Sequence, residues 1–307
     1  MLFSHLKFNL WVRFVAFNMQ RSTWLHLRIH FSFFLLPVFL FALSISTVSN
    51  WYNAIMSFII LHFLLYPASN GYNSYFDKDE GSIGGLKNPP QVTTQLYFVS
   101  LIFDLVAILL GALIIGYPFA IMLLIYGVAS KAYSHPSIRL KKYAIPGWLT
   151  IFIFQGYFTF LMAYLSINDA SISQLWKSQI QLPAILSSVL LGGAYPMTQI
   201  YQHQEDHSRG DITFSIKLGI LGTFHFTAVM FLLATAGFIY YYLNYFDLTH
   251  LLLFQLLLVP SLFYFLRWYF EVRKNLERAD YKSTMRLNLI SSSCLNLFFI
   301  LKTFVNT

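Results

Sequence analysis

The chain has 307 residues, of which 57% are apolar, 19% are aromatic and only 10% are charged. A soluble globule of this length needs a larger share of charged side chains to cover its surface, so the composition excludes an ordinary soluble domain. The net charge of +8 does not indicate nucleic-acid binding. The basic residues are spread among many short loops and form neither a tail nor a basic helix.

Apolar stretches follow one another along the chain in the lengths that a lipid bilayer requires. The hydrocarbon core is about 30 Å thick, and a helix needs roughly 20 apolar residues to cross it. We therefore expect one all-α domain over residues 1–307, a polytopic membrane helical bundle of about nine transmembrane helices. Residues 1–30 should form an amphipathic segment on the membrane surface. The predicted spans are 31–47, 53–76, 92–116, 118–134, 144–166, 181–204, 219–243, 249–268 and 284–305.

The charged residues are distributed unequally between the two sides of such a bundle. With nine crossings, all Lys and Arg residues except Lys177 and Lys302 lie on one side. The positive-inside rule places that side in the cytoplasm. Most of the acidic residues lie there too, so we expect a multi-pass membrane protein whose active site opens at the cytoplasmic face.

Residues 66–81 and 195–210 form an internal repeat, in which YPASNGYNSYFDKDEG aligns without a gap with YPMTQIYQHQEDHSRG. Two apolar spans aligned by chance would share Leu and Phe and not amides and carboxylates. The repeat therefore predicts two pseudo-repeated halves around a central cavity. The matching pairs are Tyr66 with Tyr195, Pro67 with Pro196, Asn70 with Gln199, Tyr72 with Tyr201, Asn73 with Gln202, Asp77 with Asp206, and Gly81 with Gly210.

On a helix, the spacing of the repeated polar residues places each set on one face that ends in an aspartate. One stripe consists of Tyr66, Asn70, Asn73 and Asp77, and the other of Tyr195, Gln199, Gln202 and Asp206. Such residues can simply join helices by hydrogen bonds. Two matching stripes that end in Asp favour a binding site, and their oxygen ligands suit Mg²⁺ when phosphates and waters complete its octahedron.

Three ordered motifs resemble those of the UbiA superfamily of intramembrane prenyltransferases. The segment NSYFDKDEG at 73–81 is similar to the first aspartate-rich motif, and residues 202–219 are similar to the second. Between them, YSHPSIRLK at 133–141 resembles the family's loop between the two motifs. The resemblance implies a bundle around a cavity open to lipid, about two Mg²⁺ ions, a polyprenyl diphosphate donor and a lipophilic or aromatic acceptor.

The resemblance also implies roles for individual residues. Asp77 and Asp206 are the expected catalytic acids. The expected metal ligands are Asn73, Asp77, Glu80, Gln202 and Asp206; the expected diphosphate-binding residues are Lys87, Arg139, Lys141 and Arg209; and the expected substrate-binding residues are Asn70, Tyr133 and Gln199.

Two positions depart from the family pattern, because Gly81 and Gln202 stand where the motifs usually carry Asp. Each site thereby loses one charge. Glu80 is expected to compensate as a metal ligand, with the alternative that it only caps or solvates the loop. Asp79 and Glu205 lie near enough in sequence to compensate as well.

Three functions fit these features. The first is magnesium-dependent prenyl transfer to an acceptor, with an aromatic lipoquinone precursor of naphthoate or benzoate type as the expected class. The second is isoprenoid cyclisation on the same scaffold without an acceptor. The third is solute transport, although transporters usually place ionic sites near mid-membrane. Within the third span, Asp104 is expected to face the bundle interior or be protonated, because an unpaired charge there is costly.

Overall fold

The computed structural model describes residues 19–47 and 50–305, and within them the chain forms helices and no β-strand. The expected amphipathic segment therefore lies partly outside the described residues. A 3₁₀ segment, Ile29–Phe34, joins the first two helices. The helices are α1 Arg21–Leu27, α2 Leu36–Ser44, α3 Trp51–Asp77, α4 Thr94–Ile115, α5 Tyr117–Ser134, α6 Ala144–Asn168, α7 Ser178–Ser208, α8 Phe214–Tyr245, α9 Leu248–Lys274 and α10 Tyr281–Val305.

By length and apolar composition, fewer helices than the nine predicted qualify as membrane spans in the part of the chain that the structure describes. Among the helices described, α3, α4 and α6 to α10 are each long and apolar enough, and a bent pair adds an eighth. That pair is Arg21–Phe34 with α2, bent by 41°. The 18-residue α5 is not counted, because Lys131 and three tyrosines lower its mean hydropathy. The prediction of an all-α, multi-pass membrane bundle is nevertheless confirmed.

Local signals in the sequence explain where several helices begin and end. The Asn50 side chain caps α3 by accepting from the backbone N–H groups of Tyr52 and Asn53 at 3.0 and 3.4 Å. Asp247 caps α9 in the same way. Such caps satisfy N–H groups that have no partner inside the helix. Gly116, with φ of 139°, separates α4 from α5 in a backbone conformation that favours glycine.

The two Tyr-Pro pairs of the repeat change helical geometry in different ways. In α3 a π-helical turn, Ile60–Leu65, precedes the regular helix Tyr66–Asp77. In α7 the chain instead tightens to a 3₁₀ helix over Tyr195–Gln202. Proline has no N–H to donate to the preceding turn, so the helix pitch adjusts locally. Residues four apart in a 3₁₀ helix differ by about a third of a turn. Our prediction of a single α-helical stripe is therefore wrong for the second half.

The largest apolar core closes the end of the bundle where α2, α6, α8 and α10 finish. The Phe41 ring stacks on Phe299 with centroids 4.6 Å apart, and it meets Phe160 edge-on at 5.3 Å. Phe238 lies 5.4 Å from the same ring. Offset and edge-on ring contacts add to the burial of apolar area. The opposite end of the bundle, where α3 and α7 finish, carries the polar residues of the repeat.

Asp104 is buried in α4 and forms an ion pair with Lys131 of α5. The Lys131 ammonium also lies 4.9 Å from the centre of the Tyr72 ring. A buried charge needs a partner in a medium of low dielectric constant. The expectation that Asp104 faces the bundle interior is confirmed, and its contacts join α3, α4 and α5.

A close backbone approach fixes α6 against α7. Residues Ile151–Phe158 of α6 are π-helical, and Ser188 of α7 satisfies two of their backbone groups. Ser188 Oγ accepts from the Tyr157 N–H at 2.7 Å and donates to the Phe152 carbonyl. The approach requires glycine at 156, because a Cβ there would lie 2.3 Å from Ser188 Cα.

We predict that Gly156→Ala lowers the free energy of unfolding by about 1–3 kcal/mol, because the clash is with backbone that cannot rotate away. The matched control is Gly222→Ala in α8, where a Cβ would meet its nearest neighbour, Leu218 Cβ, at 3.4 Å. That variant should be as stable as wild type or slightly more stable. Thermal unfolding in detergent measures both, and equal midpoints would contradict this description of the α6–α7 contact.

Candidate functional site

Asn73 and Asp77 of α3 lie against the loop that follows α5. Lys141 of that loop forms an ion pair with Asp77, and its Nζ donates to Asn73 Oδ1 at 3.1 Å. Ser134 Oγ donates to the same Asn73 oxygen at 2.9 Å. Asp77 and Lys141 are both buried. The amide and carboxylate oxygens of the first stripe thus converge on one cation.

Arg139 joins the acid at the end of α3 to an acid that follows α7. Its Nη2 lies 3.3 Å from Asp77 Oδ1, and it makes two hydrogen bonds to Asp211, at 2.8 and 3.1 Å. The hydrogen bonds to Asp211 raise the pKa of Arg139 although burial opposes the shift. Arg139 has a φ of 45°, which is uncommon for a residue with a side chain. This turn directs the guanidinium back between the two acids.

Arg209 makes the second connection between the halves. Its guanidinium forms ion pairs with Asp79, which follows α3, and with Asp206 Oδ1 of α7 at 2.8 Å. Burial acts to lower the pKa of Arg209. The Asp79 and Asp77 carboxylates and the hydrogen bonds to its partners have the larger combined effect, so the pKa of Arg209 is raised. Burial and the nearby Asp77 charge raise the pKa of Asp79. Each arginine therefore binds at least one acid from each half.

Within the ion pairs that connect the two halves, the acids outnumber the cations. Within the part of the chain that the structure describes, the connected ion pairs contain five carboxylates and three cations, which leaves two negative charges when all are ionised. The set consists of Asp77, Asp79, Glu205, Asp206 and Asp211 with Arg139, Lys141 and Arg209.

Glu205 occupies the space beside Gly81, one of the two positions where the motif lacks its usual acid. Glu205 Oε1 accepts from the N–H groups of Glu80 and Gly81 at 2.8 and 3.4 Å. A Cβ built on Gly81 would lie 2.7 Å from Glu205 Oε2. The first half lacks a carboxylate at Gly81, and the Glu205 carboxylate of the second half lies in that space.

A cavity of about 690 Å³ lies directly beneath these charges. Its upper wall includes Asn70, Asn73, Tyr133 and Gln202, and its deeper wall is mostly aromatic and aliphatic. Pockets of this size bind small molecules through apolar walls and a few polar groups. A charged end above an apolar chamber suits a ligand with an anionic head and a hydrocarbon tail.

Arg28 supplies a charge to the cavity wall that sequence reasoning did not assign to the site. It is buried, and it is the one charged residue among the described residues that line the cavity. Its guanidinium donates to the carbonyls of Gly84 and Asn70, both at 3.2 Å. Within the described ranges it contacts no carboxylate, and its Nε has no partner. In the sequence, the one sign of this role is that Arg28 is the last charged residue before the first predicted span.

Of the twelve predicted site residues, four line the cavity as the described residues define it, and five others lie in the ion pairs above it. The remaining three are Gln199, Glu80 and Lys87. Gln199 is buried behind the wall, where its Nε2 donates to the Tyr195 hydroxyl at 2.8 Å. Glu80 and Lys87 are exposed in the loop after α3. The change to 3₁₀ geometry explains the position of Gln199.

The donor set fits a divalent cation only in combination with other ligands. Among the residues that the structure describes, no group of three or more His, Cys, Asp or Glu side chains is arranged to hold a metal ion. The oxygens of Asn73 and Asp77, however, already converge on the Lys141 ammonium. Mg²⁺ accepts a few protein oxygens when phosphate and water complete its shell.

Fold and site together define a multi-pass membrane protein with a charged end above an apolar cavity. The UbiA prenyltransferase family model matches residues 31–290. The chain therefore belongs to the UbiA prenyltransferase family and is a prenyltransferase. A search among curated proteins found no match.

Solved structures share the fold at low sequence identity. A UbiA homolog from Archaeoglobus fulgidus bound to GPP and Mg²⁺ has a TM-score of 0.66 and 16% identity, covering 92% of this chain and 99% of the other. The same homolog bound to Cd²⁺ gives a TM-score of 0.65 over the same shares, also at 16% identity. A digeranylgeranylglyceryl phosphate synthase gives 0.60 at 18% identity, covering 93% and 98%.

Proposed function

We propose that this protein transfers an isoprenyl group from a polyprenyl diphosphate to an acceptor and releases diphosphate. One observation carries the proposal: Arg139 and Arg209 each join an acid of the first half to an acid of the second, above an apolar cavity of about 690 Å³. This arrangement provides a place for a diphosphate head and a place for a hydrocarbon tail. The homolog structure with GPP and Mg²⁺ supports the same class of donor.

Asn73 with Asp77, and Gln202 with Asp206, are the residues proposed to hold Mg²⁺, as two ions. The two unbalanced negative charges of the connected ion pairs favour the binding of divalent cations beside them. When bound, the metal neutralises the negative charge that develops on the departing diphosphate. Glu205 is proposed to replace the acid missing at Gly81. This is the compensating role that we expected for Glu80.

The chain's own cations are proposed to bind the diphosphate oxygens. Lys141 contacts Asn73 of the cavity wall, and Arg139 and Arg209 belong to the same connected ion pairs. Charge-assisted bonds from these cations are strongest where negative charge develops. Lys87 is proposed to reach the diphosphate from the exposed loop. Asn70 and Tyr133 on the upper wall orient the donor next to the reacting carbon.

Arg28 supports an anionic acceptor. A buried guanidinium without a carboxylate partner in the described residues can pair with a carboxylate, for which a planar two-point contact is available. An aromatic lipoquinone precursor of naphthoate or benzoate type has such a group. The phosphate in the name of one similar structure, a digeranylgeranylglyceryl phosphate synthase, is consistent with this proposal. The cluster of basic residues at this end supports a cytoplasmic active site.

We predict that Asp77→Asn and Asp206→Asn each abolish magnesium-dependent turnover, because each removes a carboxylate of the diphosphate site. The assay is mass spectrometry of products from purified protein, Mg²⁺, geranyl, farnesyl and geranylgeranyl diphosphates and a panel of aromatic acids. Lys177→Ala, on the opposite side of the bundle, should leave turnover unchanged.

Each outcome of that assay has a definite meaning. Prenylated acceptor from wild type and none from the aspartate variants supports the proposal. Cyclic hydrocarbon formed from a prenyl diphosphate alone would assign the protein as an isoprenoid cyclase. Full turnover by both aspartate variants would refute the site.

We predict that Glu205→Ala lowers kcat and that Gly81→Asp restores it in the Glu205→Ala background. The reason is that the two positions face the same space, so a carboxylate from either half can fill it. Gly81→Asp alone should lower activity, because its side chain meets Glu205. Steady-state kinetics at several Mg²⁺ concentrations measures the recovery. Failure of the double variant to exceed Glu205→Ala would show that Glu205 only anchors the loop.

A further inference from the structure

A chain of hydrogen bonds runs from the start of α8 to the cavity wall. The backbone N–H of Ser215 donates to Gln199 Oε1 at 3.3 Å. Gln199 Nε2 donates to the Tyr195 hydroxyl at 2.8 Å, and the Tyr195 and Tyr133 hydroxyls are bonded to each other. Both tyrosines line the cavity, whereas Gln199 lies behind them. Ser215 is itself held by a bond between its hydroxyl and Thr223 at 2.9 Å.

The direction of this chain follows from its first member. A backbone N–H can only donate, so it must face the oxygen of the Gln199 amide, and the amide NH₂ must then face Tyr195. A hydroxyl that accepts one hydrogen bond becomes a better donor of its own, so Tyr195 donates to Tyr133. The Tyr133 oxygen is then an acceptor within the pair, and its hydrogen is left to point into the cavity.

Tyr133 lies beside the first acid cluster. Its neighbour Ser134 donates to Asn73, which shares the Lys141 ammonium with Asp77. A hydrogen presented to the cavity at this point suits an oxygen with negative charge. A fixed neutral donor aimed at a developing charge needs no reorganisation when the charge appears.

We propose that Gln199 and Tyr195 are positioning residues that hold the Tyr133 O–H as a hydrogen-bond donor to an anionic oxygen of the prenyl diphosphate. The inference rests on the proposed function, since it assumes that a diphosphate occupies the cavity mouth. It gives the Gln199 amide a role in setting the direction of the chain, although that side chain does not reach the cavity.

The test reverses the direction of the chain with little change of shape. In Gln199→Glu the carboxylate still accepts from Ser215, but it also accepts from Tyr195. Tyr195 then accepts from Tyr133, and no hydrogen points into the cavity. We expect the kcat for magnesium-dependent diphosphate release from geranyl diphosphate to fall about 10²- to 10³-fold, the usual effect of removing such a donor. Tyr133→Phe should lose as much, and the KM for geranyl diphosphate should change little in both. Assays at about pH 9 keep the introduced carboxyl ionised.

A second substitution separates this effect from the added charge. In Gln199→Glu with Tyr195→Phe the charge remains, but Tyr133 has no neighbouring hydroxyl to bond and can donate into the cavity again. The double variant should therefore recover at least tenfold of the lost kcat. Tyr195→Phe alone and Gln199→Met should each lose less than about tenfold, because neither turns the Tyr133 hydrogen away.

The outcomes separate failure of this inference from failure of the proposed function. Wild type that releases no diphosphate from geranyl, farnesyl or geranylgeranyl diphosphate would overturn both. With active wild type, a Gln199→Glu variant as active as Gln199→Met, or no recovery in the double variant, would overturn the directional role. If Gln199→Glu does not fold, a loss in Tyr195→Phe equal to that in Tyr133→Phe would overturn it as well. Thermal unfolding midpoints check that each variant is folded.

Discussion

The ion pairs formed by Arg139 and Arg209 are the interactions on which the rest of the site depends. Each guanidinium holds an acid from both halves of the chain, with partners that are largely buried. A buried carboxylate without a partner is strongly destabilising, so these contacts fix where the ends of α3 and α7 lie relative to each other. The loop from 135 to 143 and the loop after α3 take their positions from the same contacts.

The membrane explains why the charges gather at one end. Large apolar side chains such as Leu113, Leu232 and Phe263 are exposed on the outer surface of the bundle, where lipid replaces water as the solvent. In that environment charged groups are stable only when paired or close to an interface. The aromatic core around Phe41 closes the other end. A cavity that is closed by this core and capped by charges can separate a hydrocarbon tail from its anionic head.

The sequence predicted the fold class and the shared helix face of Asn73 and Asp77 because both depend on local patterns. Span length follows from apolar runs, and the spacing of Asn73 and Asp77 places both on one face of a regular helix. Tertiary contacts decided what the sequence could not predict. The 3₁₀ geometry at Tyr195 moved Gln199 behind the cavity wall, and Glu205 reached the space beside Gly81 from the other half of the chain. Arg28 reaches the cavity through the bend between α1 and α2, which no periodicity in the sequence indicates.

The proposed function requires that the two halves of the chain build one diphosphate site. Calorimetric titration tests this most directly. Geranyl thiodiphosphate, which resists ionisation, is titrated with Mg²⁺ into wild type, Asp77→Asn, Asp206→Asn and the double variant. We expect one ligand per chain and losses of binding free energy that are strongly non-additive, because both acids serve one bound ligand. Two independent sites, or losses that simply add, would contradict it.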